Sequence, residues 1–138
     1  MSHPYVETEI LIRLLTGDDL RKQARAVALF QQVERGQLIV AAPETVISDS
    51  VYVLSSRRLY NRPRTEIAAM LTALVRLPGF HVQNRRSVLA ALSLYGTTRR
   101  LDFGNALIVA SARQAGSQVV YSYDSDFDAF PDISRQEP

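Results

Sequence analysis

The chain has no cysteine, no tryptophan, two histidines and, among its sixteen basic residues, a single lysine, Lys22. Without cysteine there is no disulfide, no thiol nucleophile and no cysteine-ligated zinc. His3 lies near the terminus and His81 on a predicted strand, so histidine acid–base chemistry has little to work with. No apolar run reaches the roughly 18 residues that cross a membrane, and no cleavable leader is legible. A soluble cytoplasmic protein is therefore expected. GxGxxG, P-loop and GxSxG motifs are also missing, which sets aside dinucleotide, nucleoside-triphosphate and ester-hydrolase readings.

What is present is one domain's worth of chain. The 138 residues are 46% apolar and 22% charged, which excludes disordered and collagen-like classes and is enough for a sizeable core. No linker or repeat divides residues 1–138. The net charge of +2 conceals an uneven distribution. Arg57, Arg58, Arg62, Arg64, Arg76, Arg85, Arg86, Arg99 and Arg100 face one acid, Glu66, within residues 57–100, while both flanking segments are net acidic. Such a basic middle places phosphate-binding arginines beside carboxylates, unless the arginines are only the solvated faces of helices.

Apolar periodicity predicts alternating strands and helices. Tyr5-Val6 reads as a short strand running into a helix through Leu15. A second helix carrying Leu20, Ala24, Val27 and either Phe30 or Ala28 is expected to stop at Gly36, with Asp18 and Asp19 as caps. Leu38–Ala42 reads as a strand covered on both faces. Helices are then predicted from Pro43-Glu44 and from Pro63, the latter with apolar positions 67, 70, 71, 74 and 75. Phe80–Val82 reads as a strand, followed by a helix holding Val88, Leu92 and Tyr95. Residues Phe103–Ala115 are apolar nearly all round, which predicts a buried helix, with Asp102 as its N-cap. Val119–Tyr121 is the next strand and Ile133 belongs to a last edge strand. The expected architecture is a single three-layer α/β/α domain with a central parallel sheet.

Ligands of such sheets bind beyond the C-terminal strand ends. Glu7 and Glu9 lie at one such end and Asp124, Asp126 and Asp128 at another. Asp49 shares a face with Val46 and Val53, which predicts a carboxylate turned toward packed surface and needing an arginine or a metal. Asn105 lies on a stripe with Ile108, Val109 and Ala112 and is expected to face inward. Singly, each of these is a structural polar group; together they converge on a site of oxygen donors, which suits Mg²⁺ or Mn²⁺. The spacing from Asp124 to Asp128 resembles a calcium loop, but Ala129 replaces the turn glycine and Arg135 the bidentate glutamate, so an EF-hand is rejected.

Taken in order, Tyr5–Leu11, Leu14–Asp19, Pro43–Leu54, Leu101–Leu107 and Ser122–Phe127 resemble the PIN domain, and most closely the VapC-type toxins of bacterial toxin–antitoxin pairs. That resemblance implies a divalent-metal-dependent endoribonuclease using four acidic positions, which here are Glu7, Asp49, Asn105 and Asp124. Only Asp124 carries the family's common residue. Glu7 and Asp49 exchange a methylene in opposite directions, and Asn105 removes one charge, which matters for an ion that wants octahedral ligands near 2.1 Å. Glu9 stands where the family often has asparagine. Asp126, Asp102 or Glu9 are the candidates to compensate. Thr8 and Ser122 are expected to orient carboxylates or water. Arg57, Arg58, Arg85, Arg86, Arg99 and Arg100 are candidates for contact with an RNA substrate. The resemblance also implies a homodimer and a small antitoxin whose basic side chain enters the acidic pocket. The competing reading is a catalytically weakened PIN domain that binds antitoxin or RNA without turnover. A plain phosphate-binding α/β domain is a third.

Overall fold

In the computed structural model, which describes residues 2–138, the chain enters as an extended segment and only Tyr5 makes a strand-like contact. It bridges to Ala41 in parallel, with Val6 N donating to Ala41 O at 3.0 Å and Ala41 N to Pro4 O at 2.8 Å. Helix α1 (Thr8–Leu15) follows at once and buries Leu11 and Ile12. Thr16 ends it, its hydroxyl donating back to Ile12 O at 2.7 Å. Asp19 caps α2 (Leu20–Glu34) by accepting from Lys22 N at 3.0 Å, as expected of that residue. Asp18 is not a cap. It gathers Arg13, the Thr16 hydroxyl and the Tyr60 hydroxyl, the last at 2.5 Å, and so ties the turn after α1 to a distant loop.

Of the predicted stripe on α2, Phe30 is buried and Val27 half-buried, but Leu20 is 73% exposed and Ala24 is exposed; the inward face is Ala26, Phe30 and Val33. The i, i+4, i+7 spacing that includes Val33 carries Phe30 onto Phe80, edge to face at 5.5 Å. Gly36, with φ of +75°, leaves the helix in the left-handed conformation that favours glycine. Strand β1 is shorter than expected, Val40–Ala42, with Ile39 partly exposed. Pro43 and Pro63 stand just outside α3 (Glu44–Ser55) and α4 (Arg64–Val75), one position earlier than first helical residues. Strand β2 (Phe80–Val82) and α5 (Arg85–Thr97) complete the middle of the chain.

Helix α6 (Phe103–Gln114) corrects a second expectation. It buries Phe103, Ala106, Val109 and Ala110, but Ile108 is 46% exposed and Gly104 and Ser111 are exposed too. A helix lying on one neighbour covers one stripe; apolar residues beyond that width stay at the surface. Strand β3 (Val119–Tyr121), a 3₁₀ turn (Ser125–Ala129) and β4 (Ser134–Gln136) close the chain, β4 immediately after the buried Ile133.

The strand pairs are parallel, as an alternating α/β chain requires. Val40 stands opposite Phe80 and Val119 opposite Ser134. The ladders are separate, β1–β2 and β3–β4, with Tyr5 joined to β1. Helix α5 packs on both α4 and α6, and α1 packs on α2 and α3. One apolar core runs through Leu11, Ile47, Leu54, Ile67, Leu71 and Phe80. Among the described residues, no buried side-chain polar atom lacks a partner.

Ion pairs hold the exposed ends. Arg113 donates to both carboxylate oxygens of Asp132 at 2.8 Å, and Arg135 bridges Asp128 and Glu137. Arg113 and Arg135 keep the carboxyls of Asp132 and Asp128 below the ordinary range, and the Tyr60 hydroxyl does the same for Asp18. A depressed folded value adds stability above the unfolded value of about 3.9 and loses it as pH falls through the folded one. The melting temperature is therefore expected to hold from pH 7 to about 5 and to drop between about 4 and 2. Asp132→Asn should melt lower at pH 7 and show a shallower drop. An identical drop in both proteins would remove this pair from the account.

Candidate functional site

The site is assembled at the ends of the strands. Glu7 follows the Tyr5 bridge and occupies the N-cap position of α1, yet its carboxylate makes no capping hydrogen bond and is exposed. Thr8, the first helical residue, is half-buried. Asp124 follows β3 and caps the 3₁₀ turn. Its Oδ1 accepts from Asp126 N at 2.9 Å, and its own N–H donates to Ser122 Oγ at 2.9 Å. The short side chains of Ser122 and Asp124 thus fold the chain back on itself, which fixes where the Asp124 carboxylate sits.

Asn105 reaches the same place from the first turn of α6. Its backbone N–H donates to Asp102 Oδ1 at 2.7 Å, so the expected N-cap is present. Its side-chain Nδ2 donates to Asp124 Oδ2 at 2.9 Å. Asn105 and Asp124 are therefore brought together, and half-buried Asp126 is tied to them through its backbone.

Asp49 departs from expectation. It is exposed on α3, whose buried stripe is Val46, Ile47, Ser50, Val51 and Leu54. Ser50 takes the inward position because its hydroxyl returns to Val46 O at 2.7 Å, leaving Asp49 beside the stripe. Glu9 is occupied elsewhere. Lys22, at 3.0 Å, and Arg13, at 3.2 Å, bind its carboxylate and hold its pKa below the usual value.

Arginines expected to form a basic surface divide into two groups. Arg57, Arg58, Arg86, Arg99 and Arg100 are exposed. Arg85 is half-buried and donates to the carbonyls of Val75, Leu77 and Phe80, so the structure takes it out of the RNA-facing set. Arg64 behaves alike, donating to the carbonyls of Tyr95, Thr98 and Leu101, and Arg62 pairs with Glu66 at 2.7 Å. The carbonyls that bind them lie at and beyond helix ends, where intrahelical partners run out.

Sequence reasoning missed the tyrosines. Tyr5, Tyr52 and Tyr123 are each more than 70% exposed and lie within three residues of Glu7, Asp49 and Asp124 respectively. Their proximity to the acids was readable from spacing; their exposure was not. Tyr52 borders a cleft of about 520 Å³ that Asp102 and Gly104 also line.

Residues 5–133 match the family model of the PIN domain. The chain belongs to the PIN domain family. No curated protein gives a significant match to it. PIN domains are in general nucleases, and those nucleases typically use divalent metals. Among the described residues, no helix is long and apolar enough to cross a membrane. The four family positions fit a hard cation in donor type, since all offer oxygen and none sulfur or imidazole. They fall short in assembly: among the described residues, no three acids or histidines gather closely enough to hold an ion. Asn105 presents an N–H donor to Asp124 where a fourth carboxylate would leave that oxygen open.

Proposed function

We propose that this PIN domain is an endoribonuclease of the VapC toxin type whose turnover is weakened by Asn105. The observation that carries the reading is the meeting of Asn105 and Asp124 at 2.9 Å beyond the end of β3. Two of the four family positions, far apart in sequence, come together at the edge where an α/β sheet binds ligands. On this reading Glu7, Asp49 and Asp124 must close up to hold Mg²⁺ or Mn²⁺, because among the described residues no three acids stand close enough as they are. When bound, such an ion supplies Lewis-acid stabilisation of phosphoryl charge and an activated water.

The chain's own residues account for the rest. Ser122 anchors the Asp124 backbone, and Asn105 and Asp126 fix the Asp124 carboxylate. Thr8 stands beside Glu7 in the matching position. Arg57, Arg58, Arg86, Arg99 and Arg100 supply exposed charge for the RNA backbone, which makes binding strongly salt-dependent. The toxin reading carries with it a homodimer, a cytoplasmic setting and an antitoxin whose basic side chain enters the acidic edge.

Incubation with structured RNA and Mn²⁺, with and without chelator, tests the reading. Slow cleavage that chelator abolishes is expected. No metal-dependent cleavage by this chain or by Asn105→Asp overturns it.

A second reading has a specific observation behind it. Because Asn105 gives Asp124 a hydrogen-bond donor rather than a second carboxylate, a domain that captures RNA or antitoxin without turnover is also supported. Titration with Mn²⁺ separates the two. Tight stoichiometric binding favours the nuclease, and retention of RNA with no binding of the ion favours the capture domain.

A further inference from the structure

A cleft one helical turn from Asp49 pairs an exposed aromatic ring, Tyr52, with a carboxylate, Asp102. Ser48, Tyr52 and Ser55 line one wall from α3, and Asp102, Phe103 and Tyr95 contribute the other. Tyr52 lies one turn after Asp49, and Asp102 caps the turn that carries Asn105. The cleft thus lies between the helices that carry two of the four family positions. At about 520 Å³ it falls within the roughly 300–1,000 Å³ typical of ligand pockets. Tyr52 is 74% exposed.

We propose that this cleft is a nucleobase subsite, with Tyr52 as the stacking platform and Asp102 as the acceptor for N–H donors on the base's pairing edge. The identity of the ligand as RNA rests on the ribonuclease reading; the subsite itself rests on the cleft. An unpaired base stacks on an exposed aromatic face and is read along its Watson–Crick edge. Asp102 gives one oxygen to Asn105 N–H, and an ionised carboxylate has further acceptor capacity on both oxygens. Guanine is the best match, because its N1–H and 2-amino donors lie side by side while uracil offers a single N–H. The Tyr95 ring is buried, with the Arg64 guanidinium 3.9 Å from its centroid. The serine hydroxyls add adjustable donors and acceptors.

The experiment measures binding, by fluorescence anisotropy under chelator, of two single-stranded hexaribonucleotides, one of uridine alone and one with a central guanosine. The guanosine hexamer is expected to bind more tightly. Tyr52→Ala should weaken it about tenfold, and Tyr52→Phe should keep it. Asp102→Asn keeps a cap acceptor and should abolish the preference for guanosine at an unchanged melting temperature. Equal binding by wild type and Tyr52→Ala, or an unchanged preference in Asp102→Asn, overturns the subsite and leaves the ribonuclease reading standing. Failure of the wild-type chain to bind either hexamer overturns both.

Discussion

Asn105→Asp is expected to bind Mn²⁺ ten- to a hundredfold more tightly than the unaltered chain. The substitution replaces the Nδ2 donor that lies 2.9 Å from Asp124 Oδ2 with a second carboxylate oxygen. A unit charge about 4 Å from another interacts by about 4 kcal/mol at an effective dielectric near 20. Relaxation of exposed side chains and competing water reduce this to about 1.4–2.8 kcal/mol, one to two decades of affinity. Without metal the same change destabilises. Two carboxylates facing each other raise the pKa of one of them. A raised acid value means that the folded protein holds more protons than the unfolded chain, so stability falls as pH rises from about 4 toward 7. Mn²⁺ reverses that fall. Melting temperatures across this range, with and without Mn²⁺, check the prediction independently of cleavage. If the variant melts at the same temperature with and without Mn²⁺, the fourth position is not part of an ion site.

The same residue marks how far the sequence can be read. Asp124 is placed at a sheet edge by strand order, because a parallel sheet brings the ends of its strands to one side. Asn105 reads only as an inward position on its helix, and its hydrogen bond to Asp124 comes from packing. The cap at Asp102, the helix from Pro63 and the parallel pairing follow from local chemistry and were legible in the same way. Asp49 was not. Its orientation depends on Ser50 turning inward, and a serine that satisfies itself on Val46 O carries no apolar signal. Nor was the division of the arginines. Whether a guanidinium meets water or carbonyl oxygens depends on helix ends remote in sequence, as Arg64 and Leu101 illustrate. Local pattern fixes elements and caps; a side chain's partners come from packing.

Arg64→Met should cost about 3 kcal/mol of stability, the larger structural effect predicted for this chain. Arg64 opens α4, but its guanidinium serves the far end of α5 and the loop beyond. Nε donates to Tyr95 O at 3.0 Å, and the terminal nitrogen serves Thr98 O at 3.3 Å and Leu101 O. Tyr95 and Leu101 are buried, so losing the donor leaves carbonyls that water reaches poorly. The loop from Thr98 to Asp102 also sets where α6 begins and hence where Asn105 meets Asp124. Methionine retains the stem's packing, so the loss isolates the hydrogen bonds and the stacking on Tyr95. At roughly 3 °C per kcal/mol for a domain of this size, the melting temperature should fall by about 10 °C. Arg64→Lys should recover little of it, because a single ammonium cannot present a planar fork to three carbonyls and stack on a ring as well. Full recovery with lysine would mean that charge, rather than geometry, holds the loop. An unchanged melting temperature in Arg64→Met would make this arginine a solvated surface group and detach the Thr98–Asp102 loop from α4 in energetic terms.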